Sequence, residues 1–359
     1  MQSSFFAEEV MRWYADNKRD LPWRHTQDPY LIWLSEVILQ QTRVAQGMPY
    51  YLRFVAAFPT VYALAAAEQE QVLRLWQGLG YYSRARNLHR CAQEIVNKYG
   101  GHFPGTYREL LALSGVGAYT AAAIASFAFN QTVPVVDGNV YRVLSRVFGI
   151  ADDIQSTVGQ KKFWQQAKQL VPEGTANVYN QAIMEFGALQ CTPLQPACLL
   201  CPLSAKCYAY QHGQQQALPV KTKKTKARAR FLHYLVICRG TSVWMKRRDE
   251  RGIWAGLYDF YLIETPQEAT LEQLDDPLLH LLLAQKDSTI KVSPSYQHLL
   301  THQRLHVTFY TVFLGHQPEN LANDENCLQE YSVEQLEQLP KPVLIDNFLQ
   351  KEIFSTLMD

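Results

Sequence analysis

Apolar residues in the first 218 positions recur at spacings of three and four, the spacing of one face of a helix. Leu31, Leu34, Val37 and Ile38 form one such set, and Val72, Leu75, Trp76 and Leu79 another. Leu110 with Leu113, and Val140, Val143, Leu144 and Val147, continue the pattern. Turn signals separate the sets, among them Asp28-Pro29, Phe58-Pro59, Gly100-Gly101 and Pro172-Glu173-Gly174. No strand-like alternation interrupts them, which predicts an all-α first half. After Pro219 the texture changes. Residues 231–238, 243–246, 257–263 and 305–314 are β-branched and aromatic runs of strand length. Helical patterns at 278–283 and 343–354 lie among and after them, so the second half reads as α+β. The predicted organisation is an all-α domain over 1–218, a linker over 219–230 and an α+β domain over 231–359.

Composition supports two globular domains. The chain has 359 residues, 47% apolar and 19% charged, which excludes a wholly disordered protein. No apolar run reaches the roughly 18 residues of a membrane span. The N-terminal MQSSFFAEEV carries two acids where a secretory signal needs basic and then apolar residues, so a cytoplasmic protein is expected. Charge is unevenly spread. Residues 1–220 hold 18 basic and 15 acidic side chains, and 221–230 hold six basic and none acidic. Residues 231–359 hold 10 basic and 18 acidic ones. A polyanion would prefer the first half and the basic strap.

Four of the seven cysteines, Cys191, Cys198, Cys201 and Cys207, fall in one short stretch. In a reducing compartment such clustering points to a metal centre before disulfides. Only Cys198 and Cys201 have the close spacing of a zinc pair, whereas a [4Fe–4S] cluster tolerates unequal spans. Iron–sulfur, zinc and unliganded thiols are all open on spacing alone.

Three other features carry chemistry. Gly115 and Gly117, in LSGVGAYT, sit between two helical patterns, where a tight turn exposes backbone N–H groups to a phosphate. An ordinary helical hairpin would look the same. Asp137, in VVDGNV, precedes a helical pattern; it suits an N-cap, and the helix terminus should hold it ionised. Glu36, in WLSEVILQQT, has Ile32, Trp33, Val37 and Ile38 around it. Facing inward, its pKa should rise by desolvation until it can donate a proton near neutrality; facing outward, it lies on a wet helix face.

Taken together, CTPLQPACLLCPLSAKC, LSGVGAYT, VVDGNV and SEVILQQT resemble the endonuclease III branch of the helix-hairpin-helix DNA glycosylases, and within it the adenine-excising type. The resemblance implies a structural [4Fe–4S] cluster held by the four cysteines and a hairpin at Gly115 and Gly117 that grips DNA phosphates. It implies Glu36 as proton donor and Asp137 as stabiliser of the sugar cation, with Tyr119 and Asn139 hydrogen-bonding around Asp137. Bifunctional members carry a lysine where Tyr119 stands, so a monofunctional glycosylase is expected. Arg19, Trp23, Arg24 and Leu39 are implied to line an adenine pocket. Gln41, with Thr42 beside it, and Tyr81, with Leu79 beside it, are implied to probe the base stack.

The segment GIWAGLYDF at 252–260 resembles the Nudix-like C-terminal domain of these enzymes, without the metal-binding Nudix box. Thr301 and His302 fall where the family reads 8-oxoguanine through a loop of the form F-S-H; here a leucine replaces the aromatic residue. The implied fold is therefore an all-α helix-hairpin-helix glycosylase domain with an iron–sulfur loop, joined to an α+β Nudix-like domain. The implied substrate is double-stranded DNA holding adenine opposite 8-oxoguanine or guanine. A monomer is expected, associated with the nucleoid in a bacterium. The strap is expected to touch phosphates and to offer a docking segment for replication or repair proteins.

Overall fold

The computed structural model describes residues 3–222, 227–316 and 327–358. Residues 223–226 of the predicted basic linker lie outside the described residues. The chain forms two compact units, Met1–Ala66 with Asn87–Lys223, and Ala67–Arg86 with Lys224–Asp359. Residues 67–86 thus pack with the second unit, although they lie inside the 1–218 span that periodicity assigns to the first domain.

The first unit is helical, with no strand among its described residues. The predicted faces fall in helices Pro29–Leu39, Tyr107–Leu110 and Gly138–Phe148, with Leu113 lying just beyond the second. Helix Pro29–Leu39 starts on a side-chain cap from Asp28 to the Tyr30 N–H and has Pro29 in its first turn. It is buried on nearly every side, Glu36 included. It packs against Ala118–Phe127, whose run of small residues lets two helices approach closely. A second core joins Phe6 and Val10 to Val143, Leu144 and Val147 of Gly138–Phe148, and to Ile183 and Phe186 of Ala176–Leu189.

Among its described residues the second unit holds an eight-stranded mixed sheet. Its strands are β1 (Arg228–Arg239), β2 (Ser242–Arg247), β3 (Tyr258–Asp259), β4 (Tyr261–Thr265), β5 (Ser288–Val292), β6 (Tyr296–Leu299), β7 (Gln303–Leu314) and β8 (Gln329–Ser332). β1 is central: it pairs in parallel with β7 and antiparallel with β2 and β4. Residues 232–238 are all buried, as a strand covered on both faces must be. β6 and β7 form a hairpin with Leu299 opposite Arg304 and the Leu300 N–H bonded to the Gln303 carbonyl. That register puts Thr301 and His302 at its exposed tip.

Candidate active site

The two carboxylates singled out by sequence line one cavity of about 180 Å³ in the first unit. Arg19, Trp23, Arg24, Leu39, Thr42, Tyr119 and Asn139 line it as well. Helix packing brings these residues together. Helix Pro29–Leu39 presents Glu36, Ala118–Phe127 presents Tyr119 at its second position, and Gly138–Phe148 presents Asp137 at its N-cap.

Glu36 is 7% exposed. Burial pushes its carboxyl up to about 7, the Tyr119 hydrogen bond pulls against that, and the charge of Asp137 adds to it. The Tyr119 hydroxyl donates to Glu36 Oε2 at 2.6 Å. Tyr119 was expected beside Asp137; the close packing of its helix on Pro29–Leu39 directs the hydroxyl to Glu36 instead.

Asp137 caps its helix, accepting the Val140 N–H at 2.8 Å and the Asn139 side-chain amide at 2.7 Å. Its carboxyl nevertheless lies above the ordinary aspartate value. Burial raises it, and the Val140 N–H, Asn139 and Arg142 oppose the rise. The donors of the helix terminus, which are expected to hold Asp137 ionised, thus act against its burial. The hydrogen bonds from the Val140 N–H and Asn139 favour the anion at Asp137, whereas Glu36 has the Tyr119 hydroxyl on its side chain.

Glu185 is a participant that sequence reading missed. It is 1% exposed and takes bidentate contacts from Arg19, at 2.8 and 2.6 Å, and from Arg24, at 3.0 and 2.7 Å. Burial raises its carboxyl, but the two guanidiniums outweigh that and hold it at about 2. Glu185 thereby fixes both arginines at the cavity. Its signal was the same as that of Glu36, an acid among Ile183, Met184 and Phe186.

The cysteines surround a separate small cavity, shared by Cys191, Cys198, Cys201, Cys207 and Arg146. Two 3₁₀ turns, Cys198–Leu200 and Ser204–Lys206, wind the loop so that Cys198 opens the first turn, Cys201 closes it and Cys207 closes the second. All four thiols are free. Among the described residues, no group of three or more His, Cys, Asp or Glu side chains is placed to hold a metal ion. Arg146 donates to the Thr192 carbonyl at 2.7 Å and the Pro193 carbonyl at 2.8 Å, and approaches Cys191 Sγ at 3.5 Å. Arg142 donates to the Cys191 carbonyl at 2.7 Å and to Asn139 Oδ1 at 2.8 Å.

The hairpin glycines lie away from both cavities. Gly115 has φ +72°, and a Cβ there would fall 2.5 Å from Asn87 Cβ, so only glycine fits. Gly117 is exposed with open space beside it and starts Ala118–Phe127 without a side-chain cap. Its neighbouring N–H groups are therefore available to a ligand. Gln41 follows the end of Pro29–Leu39 with φ +55° and is exposed.

In the second unit, Tyr81, Thr301 and His302 line a cavity of about 470 Å³ with Trp254 and His298. The Tyr81 hydroxyl is 2.5 Å from Thr301 Oγ1, across 220 positions of sequence. Leu79, expected beside Tyr81 among the residues that touch DNA, is buried, 7% exposed.

Comparison with known proteins agrees with this architecture. Residues 34–169 match the HhH-GPD superfamily of base excision DNA repair proteins, and residues 233–351 match the NUDIX domain. A solved structure of a thermostable thymine-DNA glycosylase superposes with TM-score 0.55 at 31% identity, covering 58% of this chain and 97% of that one. An endonuclease III–DNA complex superposes with TM-score 0.51 at 23% identity, covering 60% and 99%, and shares the fold. The chain is thus a helix-hairpin-helix base excision repair protein with a Nudix-like domain. The adenine DNA glycosylase of Buchnera aphidicola (subsp. Acyrthosiphon pisum) is 32% identical over 359 residues, 99% of this chain and all of that protein. The chain belongs to the adenine DNA glycosylase family, which hydrolyses the N-glycosidic bond of adenine in DNA. Among the described residues no helix is long and apolar enough to cross a membrane.

Proposed function

We propose that this enzyme removes adenine paired with 8-oxoguanine or guanine in duplex DNA, and leaves the sugar–phosphate strand uncut. One observation carries the reading: a buried carboxyl poised near neutrality and a hydrogen-bonded carboxylate line the same cavity. Glu36 gives its proton to a ring nitrogen of adenine, which makes the base a competent leaving group. The bond from C1′ to N9 breaks and its electron pair goes to the base. Asp137 stabilises the sugar cation, and water adds at C1′, its proton passing to the Glu36 carboxylate left by the first step. Asn139 holds Asp137, and Tyr119 holds Glu36. Tyr119 stands where a Schiff-base lysine would be needed for strand cleavage.

The adenine must leave the stack before it reaches this cavity. Tyr81 and Gln41 serve as probes of the stack, and Thr301 and His302 read the opposite base. The exposure of Tyr81, 49%, and of the 301–302 hairpin tip supports that role. Leucine at 300 offers no aromatic face to a base, so the preference for 8-oxoguanine over guanine is expected to be modest. Phosphates on the hairpin at Gly115 and Gly117, and on the basic strap, supply sequence-independent affinity. The protein acts as a monomer in the cytoplasm, at the nucleoid of a bacterial cell, and the strap also suits docking of replication or repair proteins. Single-turnover assays on A·8-oxoG, A·G, T·G and U·G duplexes test the assignment. Adenine is released fastest opposite 8-oxoguanine, next opposite guanine, with the abasic strand intact. Faster release of thymine or uracil would overturn it.

The cysteine loop fits a [4Fe–4S] cluster. Four free thiols line one cavity, and their unequal spacing along the chain is one that a [4Fe–4S] cluster tolerates. Cys191, Cys198, Cys201 and Cys207 would hold it, and its contribution would be to fix the loop. Purified protein is expected to carry about four irons per chain with brown absorbance. Cys198→Ser is expected to lose the colour and to melt at lower temperature. Stoichiometric zinc in place of iron would refute the cluster.

A further inference from the structure

The turn that presents Tyr81 has an unusual backbone. Gly78, Gly80 and Tyr81 all have left-handed conformations, with φ of 100°, 72° and 49°. A non-glycine residue keeps such a conformation only where its surroundings impose it. Bonds from outside the turn are therefore expected; besides the contact of the Tyr81 hydroxyl with Thr301, two of them meet on the backbone of one distant residue. The Lys341 N–H donates to Gln77 Oε1 at 3.0 Å, and the Tyr82 hydroxyl donates to the Lys341 carbonyl at 3.2 Å. Tyr82 also accepts the Gly78 N–H at 3.4 Å. The two contacts lie on either side of Tyr81 and reach across 264 and 259 positions.

Lys341 is itself fixed. Its side chain is 1% exposed, and its ammonium donates to the carbonyl of Leu339 at 2.9 Å and to that of Leu336. One position earlier, the Pro340 carbonyl accepts the Tyr258 N–H at 2.9 Å. A rigid segment of the C-terminal region thus grips both flanks of a turn whose tip is an exposed aromatic ring.

We propose that Gln77 and Tyr82 are positioning residues: through the backbone of Lys341 they hold the 78–82 turn so that Tyr81 is aimed at the base stack. This rests on the reading of Tyr81 as a wedge. It goes beyond that reading by assigning the aim of the wedge to the C-terminal segment around Lys341.

The test uses the full chain with Gln77→Ala and Tyr82→Phe, singly and combined, each made in the natural background and in a Tyr81→Ala background. The first readout is fluorescence of 2-aminopurine placed beside the mispair, which reports insertion of a ring into the stack. The second is single-turnover adenine release from an A·8-oxoG duplex at saturating protein. In the natural background the combined variant should lose most of the fluorescence change and release adenine about threefold to tenfold more slowly, the effect of one or two hydrogen bonds. In the Tyr81→Ala background the same changes should alter the rate by less than about twofold, because the residue they act through is gone. Equal losses in both backgrounds would mean a merely structural role and would overturn the proposal. Full fluorescence and rate in the natural background would overturn it too. A silent Tyr81→Ala would instead remove the wedge reading, and the proposal with it. Tyr82→Phe alone keeps the ring in place, so a folding defect in the combined variant still leaves a decisive comparison.

Discussion

Glu36→Gln is expected to release adenine at least about 10³-fold more slowly than the natural chain, within the range that a general acid supplies. Duplex affinity should stay within about threefold, because phosphate contacts supply most of it. Glutamine keeps the shape of the side chain and can still accept from Tyr119, but it has no proton to give. The same carboxyl sets a pH limit. With a value pushed up to about 7, Glu36 is protonated below that pH, so the natural enzyme's single-turnover rate should fall as pH rises through 7. Stability follows the same sign. Between the ordinary 4.5 and about 7 the native state keeps a proton that the unfolded chain releases, so stability from this group declines as pH rises through that window. Glu36→Gln should therefore melt higher than the natural chain at pH 7.5 and close to it at pH 4. Equal losses of excision and binding, or a melting gain independent of pH, would sink the assignment.

Asp137→Asn is the second large effect. Asparagine is as good an N-cap as aspartate and can still accept the Val140 N–H, though its amide nitrogen cannot accept from Asn139, so the loss of stability should stay near that of one hydrogen bond, ~1 kcal/mol. The negative charge beside the sugar cation is lost, and a single electrostatic contact of this kind is worth about 10²–10³ in rate. A second loss adds to it. The charge of Asp137 helps to raise Glu36, so its removal lowers the Glu36 value and leaves less of the proton donor at pH 7. The alkaline limb of the rate profile should accordingly move to lower pH in whatever activity remains. A variant with natural activity would show that Asp137 serves only as a cap.

The sequence displayed these two carboxylates by local signals: Glu36 breaks the first rule of an amphipathic helix, an acid inside an apolar run, and Asp137 fits the N-cap preference of a helix start. Glu185 breaks the first rule just as plainly and went unread, since its partners Arg19 and Arg24 lie 166 and 161 positions away. The long strands β1 and β7 were visible as apolar runs. The short strands β5, β6 and β8 were not, because STIKV, YQHL and QEYS contribute little to the core and are recruited by pairing with β7 or β2. The attachment of 67–86 to the second unit was hidden for a similar reason. Contacts such as Glu70 with the Tyr258 hydroxyl, at 2.8 Å, join positions 188 apart, and periodicity carries no information about them.

The N-terminal half of helix Gly138–Phe148 touches both the carboxylate cavity and the cysteine loop. Asp137 caps its first turn, and one turn on, Arg142 reaches the carbonyl of the first cysteine in the loop. Arg142 and Asn139 are bonded to each other, and Asn139 to Asp137, so three links span the distance. A single rod therefore sits in two sockets. A change at Arg142 would therefore break contacts toward both at once.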